Sequence, residues 1–242
     1  ATRCVAALAA GRQGHPHAGP ALTYAYHKGS LRVRPFAAIG LGLLAGHEGL
    51  GHATESLLHG LRERSDPQLR AALCVAVGLA RERGARSTLA EIVRGDDPVG
   101  LRAHAALALG LIGDREHSAP VLRALLEETR EPELQRETAL ALGLLGDREA
   151  LRVLDDLVRH GGSAYVQGSA AVAVGRIGAR ESVDGLVSLL GDTREPTMGR
   201  AMAAVGLGLL LDRSEGRGMA RIAADLEWWL FTPTVLEVLS IH

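Results

Sequence analysis

The chain has 242 residues and a formal charge of −1, with 47% hydrophobic residues of which few are aromatic (3% of the chain). Near-neutral charge excludes a global field that would gather nucleic acid or an anionic membrane. Apolar stretches broken every few residues by glycine or arginine exclude a membrane-spanning helix. What remains is a core built from closely packed Ala, Leu and Val.

The first element already carries a phrase that recurs to the far end of the chain. It reads Ala-Ala-x-Ala-x-Gly-x-x-Gly-Asp and is clearest from Ala105 to Asp114. Its middle glycine anchors seven copies, at Gly11, Gly42, Gly78, Gly110, Gly143, Gly175 and Gly208, spaced 31–36 residues apart by subtraction. Such a period means stacked supersecondary units, none able to bury its apolar face alone.

In chain order, the first copy begins mid-unit and the chain opens at Ala1 without Met, so an upstream segment is expected. Asp66-Pro67 opens the third unit with an acidic cap and Pro at the first helical position. Asp97-Pro98 opens the fourth, predicting a helix over Val99 to Ile112 that Gly113-Asp114 ends. A second helix follows from His117 to about Glu128, with Val121, Leu122, Leu125 and Leu126 at helical spacing. Glu131-Pro132 and Glu195-Pro196 start later units on the same plan. Every unit is thus an antiparallel helix pair, and the fold class is all-α, with no strand pattern competing. Beyond the last copy a helix of about Gly218–Leu230 leads into Trp228, Trp229, Leu230 and Phe231, then Thr232-Pro233 and a short stretch from Val235 to Ile241. The organisation expected is a repeat domain over residues 1–215 and a C-terminal helical cap over 216–242, since a stack needs a cover for its last apolar layer.

Two smaller patterns accompany the repeat. An arginine stands eight residues before the anchor in five units (Arg3, Arg34, Arg70, Arg102, Arg200), with Gln135 and Gln167 in two others. A ladder with the turn acids Asp66, Asp97, Glu131 and Glu195 is the expected use. Cys4 and Cys74 lie two units apart, roughly 20 Å at about 8–10 Å per helix layer, too far for a disulfide. Lys28 is the only lysine among 27 basic residues, an arginine bias that points to a GC-rich bacterial genome.

The run from Leu101 to Leu126, LRAHAALALGLIGDREHSAPVLRALL, resembles the HEAT-like repeat of the phycobilin-lyase type. The resemblance spans roughly residues 1–215. It implies a right-handed α-solenoid of about seven short helix pairs, with the Ala/Gly-rich helix on the concave side. The family holds scaffolds, chaperone-like proteins and some enzymes, so it does not choose a function.

On a helical wheel of the Gly110 unit, Leu101, Ala105, Ala108, Leu109 and Ile112 face the core, and the opposite side should be polar. It carries instead a largely aliphatic row: Leu8, Ile39, Val75, Leu107, Leu140, Val172 and Val205 at one register, and Leu43, Leu79, Leu111, Leu144 and Leu209, with Arg12 and Arg176 among them, at another. Phe36 and Met202 add bulk nearby. Covering about 400 Å² of it would be worth up to about 10 kcal/mol before association costs, at about 25 cal/mol per Å². The expectation is a concave partner-binding stripe for an apolar helix, a peptide, a second copy or another segment of the same polypeptide. Crowding of neighbouring helices in a strongly curved stack is the alternative. Arg136, Glu137, Gly168, Ser169 and Tyr165 make the fourth and fifth complete inner helices more hydrophilic and are candidate specificity residues. On this reading, Asp at Leu107 and Leu140 abolishes capture and leaves helicity intact.

Chemistry is sparse. His47-Glu48 and His52 miss the zincin spacing by one residue, and His15 and His17 lie in a turn, so no metal site is expected. Deoxyhypusine hydroxylases share this kind of repeat and hold di-iron through His-Glu pairs on inner helices. The corresponding pairs here are Ala103-His104, Arg136-Glu137, Ala71-Ala72 and Gly168-Ser169, so that ligand set is absent. The function expected is a non-enzymatic interaction scaffold with no cofactor. The alternative is a lyase or chaperone for a hydrophobic cofactor such as a bilin.

Overall fold

A computed structural model describes residues 2–15, 17–46, 51–63 and 66–211, with the side chains of 51–53 left aside. The proposed cap, 216–242, and His47 lie outside these residues. Thirteen α-helices and no strand occur among the described residues. They are α1 (Thr2–Arg12), α2 (Ala18–Lys28), α3 (Arg34–Ala45), α4 (Gly51–Arg62), α5 (Pro67–Leu79), α6 (Arg86–Arg94) and α7 (Val99–Ile112). There follow α8 (Arg115–Glu128), α9 (Pro132–Leu145), α10 (Leu151–His160), α11 (Ala164–Ile177), α12 (Val183–Gly191) and α13 (Thr197–Leu211). The odd-numbered helices carry the anchor glycines.

Local chemistry sets the helix ends. Asp66, Asp114 and Ser163 accept main-chain N–H groups of Leu69, His117 and Val166 at 3.1, 3.4 and 3.3 Å, satisfying donors of the first turn. Pro67 and Pro132 sit at the first helical position. At the far end of α9, Gly146 adopts φ 63° and returns its N–H to the carbonyl of Gly143, a left-handed cap that a side chain would strain. The sequence expectation for α7 is met residue for residue, whereas α8 begins at Arg115, ahead of the expected His117, because Asp114 caps it.

The helices pack as two compact units that divide between Ile112 and Gly113. In the first, α1, α3, α5 and α7 stand side by side, with α2, α4 and α6 packed on α3, α5 and α7 respectively. In the second, α9, α11 and α13 form the row, backed by α8, α10 and α12. The backing helices bury a single stripe, as α10 does with Leu154, Leu157 and Val158. The row helices are buried nearly all round: α5 hides every residue from Ala71 to Leu79. That contrast follows from placement, because a row helix has a neighbour on each flank as well as a backing helix.

The anchors make the flanking contacts possible. A methyl group at Gly78 would stand 2.9 Å from Ala108 Cα, and one at Gly143 only 2.6 Å from Ala173 Cα. At Gly42 and Gly175 it would collide with the main chain of Ala76 and Gly206. Each of these four anchors therefore faces the residue two before the next anchor, and that residue is Ala or Gly. The register is the same in both units.

Candidate functional site

The aliphatic row does not face solvent. Ile39, Val75, Leu107, Leu140 and Val172 are 0–5% exposed, and Phe36, Leu43 and Leu79 reach at most 8%. The expectation of an open stripe therefore fails at these positions. The reason is the backbone approach at the anchors: it seats these side chains in the seams between neighbouring row helices. The wheel shows only the backing helix and leaves the two flanks out.

The remaining candidates are less enclosed. Leu111, Leu144, Met202 and Leu209 are half-buried. Tyr165 is 53% exposed and Val205 36%. Arg136 is also half-buried, and its Nε donates to Oε1 of the buried Glu137 at 2.8 Å. Glu137 is thereby held as a paired carboxylate within the layer rather than presented to a ligand.

One face in the second unit stays open. A methyl group placed on Gly208 would meet nothing within 4 Å, although Gly143 and Gly175 are sealed by α11 and α13. On the same side of α13, Thr197, Ala201, Ala204 and Leu211 are exposed, with Met198 and Val205 at its margins. Gly168 lets Met202 lie against α11, since a methyl there would stand 2.9 Å from Met202 Cβ. Tyr165 stands three residues before Gly168 on the same helix. Of these residues the sequence reading offers Tyr165, Gly168, Met202 and Val205 as candidates and Gly208 as an anchor. Position could have found the others: Gly208 is the last anchor in this sequence.

The arginine pattern serves closure within each unit. Arg70 meets Asp97 at 3.0 Å, as a ladder requires. Arg34, Arg102 and Arg200 instead donate through Nε to the carbonyls of Tyr26, Val93 and Leu190, each at 3.0 Å. They tie the end of a backing helix to the start of the next row helix. Gln135 donates through Nε2 to Thr129 O at 3.3 Å, which explains how an amide stands in for arginine.

Three other clusters are structural. The buried Asp147 accepts two bonds from Arg123 Nη1, at 3.0 and 2.9 Å, while Arg123 Nη2 reaches Glu149 at 2.9 Å. This pins the turn after α9 to α8. His104 is buried on α7, with its Nδ1 bonded to Gly100 O. Cys4 and Cys74 are free and buried, and burial pushes the Cys74 thiol up to about 12, so it stays protonated at neutral pH. Among the described residues no group of three His, Cys, Asp or Glu is placed to hold a metal ion. An open cleft of about 260 Å³ is lined by residues of α10 and α12, with Arg159, His160, Asp192 and Glu195 among them. Asp192 is already engaged by Arg194 at 2.9 and 2.7 Å, which holds its carboxyl down to about 2.

A row of helices in fixed register, backed by a second row, is the arrangement of an α-solenoid repeat protein. A family model described as HEAT repeats matches residues 54–132 and again 119–208. The chain belongs to the HEAT-repeat family. Among solved structures it is similar to human deoxyhypusine hydroxylase in complex with glycerol, at 18% identity and a TM-score of 0.45, over 86% of this chain and 78% of that one. No curated protein sequence matches the chain.

Proposed function

We propose that this HEAT-repeat chain is an interaction scaffold whose receiving surface is the open face of α13, flanked by Tyr165, Met202, Val205 and Leu209. The observation that carries the reading is the contrast at Gly208: the cleft that every sealed anchor offers to a neighbouring helix is here unoccupied among the described residues. The chemistry of the face suits an apolar helix, because small residues let backbones approach closely and Val205 and Leu211 supply side-chain contact. A bilin-handling role draws less support, since the aliphatics that would line its channel are buried between helices.

A photo-crosslinking residue at position 205, used in the source cell, tests the scaffold reading. Adducts with a helical polypeptide segment are expected, in large excess over those from position 24, where Tyr24 is exposed on α2. Equal labelling from both positions would remove the assignment.

A further inference from the structure

We infer that the cleft lined by α10, α12 and the turn after α12 is a small-molecule site, and that it takes a zwitterion whose carboxylate and ammonium are several carbons apart. Free ω-amino acids and a C-terminal lysine share this chemistry. Helices α10 and α12 pack on one another within the second unit, so the cleft is not a terminal flank of the row. None of its residues belongs to the α13 face, and the inference stands independently of the scaffold reading.

The cleft owes its room to one glycine. Each backing helix buries a stripe led by a leucine, and the residue just before that leucine is Thr88 in α6, Val121 in α8 and Val153 in α10. In α12 it is Gly185. A glycine inside a helix weakens it. At the anchors the close approach of main chains accounts for the glycine. At Gly185 it does not: a methyl group there would stand 3.7 Å from Arg159 Nε and 3.9 Å from Nη2, ordinary contact distances. What the missing side chain provides is space beside a guanidinium.

Gly185, Ser188, Leu189 and Asp192 line the cleft at spacings of three and four, which is one face of α12. Arg159 stands at the level of Gly185, and Asp192 lies seven residues on, about 10 Å along the axis at ~1.5 Å per residue. Arg194 already engages both Asp192 oxygens, at 2.9 and 2.7 Å, so Glu195 is the acid left for a ligand. The turn keeps Glu195 at that end of α12, its N–H donating to Asp192 O at 3.1 Å. Among the described residues no hydrogen bond or ion pair holds the Arg159 guanidinium or the Glu195 carboxylate, although both line this cleft. Unpaired charges of opposite sign, set apart along one helix face, suit a ligand that carries both complements at a matching distance. Arg159 takes its carboxylate through two parallel N–H donors, with the Ser188 hydroxyl one turn further as a third. Glu195 takes the ammonium, and the C-terminal end of α12 favours a cation. At about 260 Å³ the cleft falls below the ~300 Å³ of pockets for drug-sized ligands, which limits the enclosed part to a short carbon chain. Glycine, whose charges flank a single carbon, is too short to reach both groups.

The test titrates the full 242-residue chain, isotope-labelled for NMR, and follows the amide signals around Ser188. The ligands are ε-aminocaproate and Nα-acetyl-lysine, with caproate, n-hexylamine and glycine as controls. Saturable shifts are expected for both zwitterions, at affinities at least tenfold above every control. Gly185→Val gives α12 the residue that α10 carries, so its melting curve should be no lower than that of the wild type while binding falls at least tenfold. Arg159→Gln should also weaken binding at least tenfold, and Glu195→Gln should remove the preference over caproate. Tighter binding of Nα-acetyl-lysine assigns the site to polypeptide C-termini and tighter binding of ε-aminocaproate to a free small molecule; either order supports the inference. No saturable shift, equal binding of caproate and ε-aminocaproate, or binding that Gly185→Val leaves intact overturns it.

Discussion

Helices α11 and α13 carry the same phrase and differ in one circumstance: among the described residues α11 has a row neighbour on both flanks, α13 on one. Gly175 sits against the main chain of Gly206, whereas Gly208 meets nothing. Val172 is 2% exposed and its counterpart Val205 36%. Identical residues are thus core in one helix and surface in the next. A repeat position has no fixed role until its neighbour is known, and the ends of a stack are where local sequence says one thing and environment another.

The sharpest way to break the comparison is to place a charge at equivalent positions. Leu140→Asp puts a carboxylate where exposure is 5%, and should cost about 3–5 kcal/mol or unfold the chain. Val205→Asp should change stability by no more than about 0.5 kcal/mol. Thermal melting followed by circular dichroism reads both, and equal effects would dissolve the distinction between the helices. The outcome also reverses the sequence expectation for Leu107 and Leu140, where helicity was to survive.

A bulkier anchor gives the next largest contrast. Gly143→Leu forces α9 and α11 apart and should cost about 3 kcal/mol or more, at the upper end of overpacking. Gly208→Leu should be within about 0.5 kcal/mol of wild type. A smaller loss, about 1.5–3 kcal/mol, is expected for Arg123→Met, which strips the buried Asp147 of its closest charged donor. Denaturant midpoints measure it, and a loss below the scatter would show that Arg115, 3.6 Å away, suffices.

The smallest effect concerns pH. Arg194 lowers the Asp192 carboxyl to about 2, so the stabilisation it gives is present above the unfolded value of ~4 and is lost as pH falls through about 2. Arg194→Ala should raise the Asp192 carboxyl towards the ordinary carboxylate range, the residue 194 main-chain N–H still holding it down in part, as an NMR titration would show. The pair is exposed on the Arg194 side and its effect on stability should be slight.

The architecture was legible because its signals are local. Asp-Pro and Glu-Pro starts, Gly-Asp ends and the period of the anchors each depend on residues adjacent in the chain. The site was far less so. Ile39 and Leu107 present the same apolar side chain on a wheel whether they face water or a neighbouring helix, and only the approach distance at Gly42 or Gly78 decides. Likewise Arg102 and Gln135 look unlike, yet both donate to a carbonyl at the end of a backing helix, an acceptor that no side-chain pattern reveals.

The uniform register has one more consequence. Because Gly143 meets its neighbour as Gly175 meets the next, excising residues 144–175 would splice the front of α9 to the tail of α11 and set Gly143 directly on Gly206. The shortened protein would close through a junction it already contains. Gain or loss of a whole module is then a change of length without a change of geometry, open to gene duplication and deletion alike.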